Sequence, residues 1–127
     1  MPLVRIDLPD TYPAAVRATI GDCVHTAMVE TIGIPAADRF QVITAHPAGA
    51  LVADPAYLDI QRSAAVVFVQ VTLNSGRTVA QKKALYARIA ELVRARAGVR
   101  PEDVLVNLVE VPKENWSFGG GIAQYAD

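Results

Sequence analysis

Cysteine is almost missing from this chain. Cys23 is the only one in 127 residues, which excludes an internal disulfide and any cysteine-rich metal centre. Histidine is nearly as scarce, with two residues, and nothing in the chain has metal-ligand spacing. Long hydrophobic runs are lacking too. The longest, Ala64 to Val69, falls far short of the roughly 20 residues a membrane helix needs. No basic segment near the start leads into an apolar run and a small-residue cleavage site, so no secretory signal is expected. Nor does one sign of charge prevail: 12 Lys and Arg against 13 Asp and Glu give a net charge of -1. Without a basic cluster, neither nucleic acid nor an anionic membrane is the expected partner. No Ser-His-Asp arrangement and no phosphate-cradling glycine loop are present. The run Gly119-Gly120-Gly121 follows an aromatic segment, not a strand that opens a helix, so it is not a nucleotide fingerprint. The expectation is a soluble, cytoplasmic protein.

What is present is apolar material: 52% of the residues are hydrophobic, enough to build one packed core in a chain of single-domain length. Leu3 to Leu8 alternates, with Val4, Ile6 and Leu8 on one side and Arg5 and Asp7 on the other, a strand pattern. Asp10 or Thr11 is placed to cap a helix with Pro13 in its first turn. Val16, Ile20, Val24, Ala27, Met28 and Thr31 then follow at helical spacing, Gly33 ends the helix, and Arg39 to Ala45 reads as a second strand.

The same sequence of signals recurs. Ala64 to Leu73 is a valine-rich strand. Thr78-Val79-Ala80-Gln81 has the form of a capping box. Leu85, Ile89, Leu92 and Val93 make a helical stripe that Gly98 closes, and Val104 to Val111 is a fourth strand. Gly33-Ile34-Pro35-Ala36-Ala37-Asp38 and Gly98-Val99-Arg100-Pro101-Glu102-Asp103 share Gly, a β-branched residue, three variable residues and Asp. Residues 1–127 therefore read as one α/β (α+β) domain. It holds two β-α-β units, about 2–45 and 64–111, and a tail at 112–127. Right-handed crossovers give a four-stranded sheet with both helices on one face. Strands 65–73 and 104–111 look apolar on both sides, which predicts that other copies cover the second face in a compact homo-oligomer. The tail, with Trp116, Phe118, Tyr125 and its glycines, supplies further contact material.

Pro2 is the first candidate for chemistry. If Met1 is removed, the chain begins with a secondary amine at the start of a strand. A terminal amine titrates near pH ~8, lower when desolvated, and so serves as acid or base near neutrality. The bland alternative is a proline that merely follows the start codon. Asp38 reads either as a turn carboxylate, matched by Asp103, or as a group orienting the amine or a water. Arg77, at the junction of the third strand and second helix, is placed to grip a carboxylate in two-point fashion. Its alternative is a solvated arginine. Asn74 and Ser75 are further donors on that loop. His25 reads as structural. His46 faces either a pocket or solvent, and Cys23 reads as a buried thiol.

With these residues in view, the chain resembles the tautomerase superfamily and, within it, the malonate semialdehyde decarboxylase group. The resemblance runs through Met1-Pro2-Leu3, Pro35-Ala36-Ala37-Asp38-Arg39-Phe40-Gln41, Arg62-Ser63-Ala64-Ala65-Val66-Val67, and Arg77 with Gln81-Lys82. It ends with Pro101-Glu102-Asp103-Val104 and Trp116-Ser117-Phe118-Gly119. It implies a homotrimer, no cofactor, and an amino-terminal proline as catalytic group. It also implies a pocket lined by Asp38 and Arg77, with Trp116, Phe118 and Tyr125 as apolar walls. One departure stands out. The decarboxylase pattern has two arginines on the loop after the third strand, whereas Arg77 is alone here, with Asn74 or Ser75 in the first arginine's place. The expected activity is therefore tautomerisation of small 2-oxo acids or their enols. Decarboxylation or hydration of a 3-oxo or acetylenic acid is the alternative, and a non-catalytic trimeric binding protein is the third reading.

Overall fold

A computed structural model describes residues 2–126. The elements follow in the order β1 (Leu3–Pro9), α1 (Ala14–Ile32), β2 (Gln41–His46), β3 (Val67–Asn74), α2 (Val79–Ala97) and β4 (Val104–Val111). They form one sheet of order β2-β1-β3-β4. β1 runs parallel to β2, β3 parallel to β4, and β1 antiparallel to β3. Each half is thus a β-α-β unit, and the halves meet along β1 and β3. The spacing that carries Gly33 onto Gly98 also carries Arg5 onto Gln70, and these two face one another in the register. The local two-fold of the duplication passes between them.

The alternation seen in the sequence decides the core. Val4, Ile6 and Leu8 of β1 and Val67, Val69, Val71 and Leu73 of β3 are buried beneath Ile20, Val24 and Met28 of α1 and Leu85, Ile89 and Leu92 of α2. The two helices also pack against one another. Burying each of the larger aliphatic side chains contributes about 1.5–3 kcal/mol. The helix ends fall where the sequence puts them. Gly33 and Gly98 are C-caps with φ of 69° and 68°, the left-handed region that glycine enters without steric cost. Thr78 and Gln81 form the expected reciprocal box.

Three expectations are corrected. Neither Asp10 nor Thr11 caps α1; Pro13 is the N-cap, with no side-chain hydrogen bond. The residues before it are spent on a turn, with Asp10 N–H donating to His46 O at 2.8 Å and Tyr12 N–H to Pro9 O at 3.2 Å. The third strand starts at Val67, later than its valine-rich run, because residues 63–66 are tied down elsewhere. The Ser63 N–H and hydroxyl both donate to the buried carboxylate of Asp103, at 2.7 and 2.6 Å. Finally, the sheet face away from the helices is mixed, not apolar. Leu3, Val42, Leu105 and Val109 are well exposed on it, but a Gln70–Asn107 hydrogen bond of 3.1 Å sits among them.

The long connection between β2 and β3 is held by polar fasteners. Arg62 donates to the carbonyls of Asp54, Tyr57 and Ile60, and the Tyr12 hydroxyl donates to Ala65 O at 2.6 Å. Burial, aided by the charge of Asp103, pushes that phenol up from its ordinary value.

Candidate active site

The antiparallel pairing of β1 and β3 brings the start of one strand to the end of the other. Pro2 precedes Leu3, whose register partner is Thr72. Asn74 closes β3 opposite Val111, the last residue of β4. Everything that leaves β4 therefore emerges beside Pro2 and Asn74. After Val111 the chain makes a short 3-10 turn, Lys113–Asn115, and delivers Trp116 to this corner.

Two adjoining hollows result. The first, about 190 Å³, is lined by Pro2, Leu3, Phe40, Trp116, Ser117 and Phe118. Pro2 is buried at its base. The Trp116 and Phe118 rings stack, with centroids 5.2 Å apart and planes 11° from parallel. Phe118 also meets Phe40 at 5.9 Å and the edge of Tyr125 at 5.5 Å. The second hollow, about 390 Å³, is polar, with Asn74, Ser75, Arg77, Lys113 and Tyr125 on its walls beside Gly33, Ile34 and Pro35. Two cations line it and no carboxylate does. Glu110 lies near Arg77 but is taken by Lys82, whose hydrogen bond holds its carboxyl below the usual carboxylate range. Arg77 itself donates to the carbonyls of Asn74 at 3.3 Å and Ile32 at 3.5 Å.

The partition between the hollows is built from Trp116, Phe118 and Tyr125 and fastened by one bond. The indole N–H of Trp116 donates to Asn74 Oδ1 at 2.7 Å. The glycine run turns the tail back on itself: Gly119, Gly120 and Gly121 all have positive φ. Gln124 closes the loop, accepting from Phe118 N–H and donating to Gly119 O, each at 2.9 Å. The run is a turn that presents aromatic rings, and glycine adopts its three positive φ values without steric cost.

The family model described as "Tautomerase enzyme" matches residues 38–119, and a second model of the same description matches residues 2–59. The chain belongs to the tautomerase family. A probable tautomerase of Bacillus subtilis, YusQ, is 38% identical to it over 98% of each chain. The structure of FG41 malonate semialdehyde decarboxylase inhibited by 3-bromopropiolate superposes with a TM-score of 0.92. It is 43% identical, covering 97% of this chain and 93% of that one. A fused 4-OT solved as a symmetric trimer superposes with a TM-score of 0.80 at 26% identity, covering 97% of each chain.

Within this tautomerase, Pro2, Trp116 and Phe118 share the apolar hollow, and Asn74, Ser75, Arg77 and Tyr125 share the polar one. Asp38 is buried at 5% exposure, in the turn just before β2. The backbone carbonyl of Phe40, two residues on, accepts from Val4 N–H at 3.0 Å, which fastens this turn to the start of β1. Phe40, Ser117 and Lys113 also line the hollows but were not among the residues expected there. The Asp-Arg-aromatic segment held the signal for Phe40; nothing in the sequence singled out Lys113. His25 donates through Nε2–H to Ala36 O, 2.8 Å away, in keeping with a structural role. His46 pairs with Asp7 at 2.7 Å, outside both hollows. Cys23 is fully buried, and burial pushes its thiol up. Among the described residues no cluster of His, Cys, Asp and Glu is disposed to hold a metal ion, and no helix is long and apolar enough to cross a membrane.

Proposed function

We propose that this tautomerase moves a proton between oxygen and carbon in small 2-oxo acids and their enols, using the amine of Pro2 once Met1 is removed. The observation that carries this reading is the burial of Pro2 at the base of an aromatic hollow beside the cationic one. Desolvation disfavours the charged amine and lowers its pKa from ~8 toward neutrality, where it serves as a base. Pro2 takes the enol O–H proton and returns it to the carbon as the ketone forms, so it ends the cycle unchanged. Arg77 grips the carboxylate, and its charge offsets the negative charge that develops on the substrate oxygen. Asp38 orients the amine or a water at the start of β1. No cofactor takes part in this scheme. Met1 lies outside the described residues, so its removal belongs to the proposal.

A second reading, decarboxylation of a 3-oxo acid, is favoured by the likeness to a malonate semialdehyde decarboxylase structure and by Lys113. Lys113 lines the polar hollow with Arg77 and supplies a second cation where the loop has one arginine. In that reaction Pro2 acts protonated, polarising the carbonyl, and Asp38 activates water for hydration. We also propose a homotrimer, in which neighbouring copies cover the exposed Leu3, Val42, Leu105 and Val109.

The test is a pH profile of enol turnover on protein whose terminus is fixed by intact mass. The base role predicts kcat/KM rising with pH through an apparent pKa below ~8. Protein that retains Met1 has an amide at residue 2 and should be inactive. Equal turnover by both forms would falsify the Pro2 mechanism. A profile that falls over the same range would favour the decarboxylase reading.

A further inference from the structure

Asn74 stands between the two hollows and is bonded to both sides. Its side-chain oxygen accepts from the Trp116 indole at 2.7 Å, and its backbone carbonyl accepts from Arg77 at 3.3 Å. The amide orientation is fixed by chemistry, because an indole N–H only donates and so must meet Oδ1. That oxygen is therefore occupied by protein. Trp116 is the hinge of the aromatic wall: it lines the Pro2 hollow, Phe118 stacks on it, and Phe118 in turn touches Phe40 and Tyr125. Its own segment, residues 113–118, is partly or well exposed and stands on a single 3-10 turn.

We infer that Asn74 is a positioning residue, which holds the Trp116 indole in place and so sets the wall between the Pro2 hollow and the Arg77 hollow. The inference rests on the proposed reaction for its kinetic readout only. A substrate that reaches from Arg77 to Pro2 must pass this wall, so its placement decides how the reacting carbon meets the amine. Loss of the bond then lowers kcat more than it raises KM, since the carboxylate grip of Arg77 is untouched.

Trp116 is the only tryptophan in the chain, so its fluorescence reports this one wall. The experiment compares wild type, Asn74→Leu, which removes the acceptor at similar volume, and Asn74→Asp, which keeps one. Asn74→Ala replaces the leucine variant if that variant does not fold by circular dichroism. The expected result for Asn74→Leu is faster acrylamide quenching, a shifted emission maximum and a kcat about tenfold lower, with KM within about twofold. Asn74→Asp should restore the wild-type emission and most of kcat. On a Trp116→Phe background, Asn74→Leu should cost nothing further, because its partner is gone. Unchanged quenching in folded Asn74→Leu would overturn the inference. So would a rise in KM at constant kcat, which marks direct substrate contact, or an additive loss on the Trp116→Phe background. If wild type turns over no enol at all, the proposed reaction fails while the quenching comparison still decides the clamp.

Discussion

Asp38 and Asp103 occupy equivalent places in the two halves of the fold, and both are buried, at 5% and 2% exposure. The Asp103 carboxylate receives the Ser63 N–H and hydroxyl, from the chain that enters β3. In the second half this repeated turn position is a structural latch between the turn and the chain entering β3.

The two aspartates should therefore separate stability from activity. Asp103→Ala removes the buried carboxylate that accepts from both the N–H and the hydroxyl of Ser63. It should cost about 2–4 kcal/mol in denaturant unfolding, in line with the loss of charge-assisted bonds. Asp38→Asn keeps the volume and removes the charge. It should lower kcat by about 10²-fold or more and cost less stability than Asp103→Ala. The reverse pattern, an inactive Asp103 variant and an active Asp38 variant, would interchange their roles.

Arg77→Ala should weaken carboxylate recognition. Hydrogen bonds to a charged group contribute about 1.5–3 kcal/mol, so KM for a 2-oxo acid should rise about 10- to 100-fold. Arg77→Lys keeps the charge but not the two-point fork and should recover only part of the loss. Steady-state kinetics on both variants checks this; wild-type KM in Arg77→Ala would remove the residue from the site.

Acid should destabilise the protein through identifiable pairs. Glu30 is held below its ordinary value of 4.5, first by the hydrogen bond from Arg88 across the helix pair. Glu110 is likewise lowered by Lys82. Both are ionised in the folded state at pH values where the unfolded chain has begun to bind protons. Their contribution is complete above about pH 5, and it is lost as pH falls through the lowered folded values. Unfolding midpoints measured from pH 6 down to pH 3 should decline, and Glu30→Gln with Glu110→Gln should flatten the decline. Both pairs are partly exposed to solvent, so added salt should reduce the effect.

Cys23 should be dispensable for turnover. It is fully buried in the core and its thiol is pushed up by that burial, so the folded protein should resist thiol reagents until it unfolds. Cys23→Ala should keep activity at a cost of roughly 1–2 kcal/mol of stability. Loss of turnover in a folded variant would point to thiol chemistry instead.

Much of this architecture was legible because its signals are local. The glycine C-caps, the Thr78–Gln81 box and the alternation of β1 each depend on a few adjacent residues, and the repeated Gly…Asp turn exposed the duplication. The parts that were not legible depend on partners distant in the chain. Asp10 and Thr11 stay ahead of the helix in a turn tied back to His46, and residues 64–66 left the strand because Asp103 and Tyr12 bind the segment around them. Composition alone made strands β3 and β4 look apolar on both faces; Gln70 and Asn107 satisfy one another across the ladder, so the outer face tolerates them. At the site, the resemblance supplied a grouping of residues, but local sequence signals alone supplied only their types. Pro2 and the loop that carries Arg77 meet through the antiparallel register of β1 and β3, and Lys113 arrives there through a turn after β4.

The internal two-fold has a consequence for stoichiometry. The spacing that superimposes Arg5 on Gln70 places Pro2 on Val67, and the nitrogen of Val67 is an amide within a continuous chain. The duplication therefore doubled the scaffold but could not double a chain end. A reagent selective for a terminal amine can add once per polypeptide, never twice, however alike the two halves become.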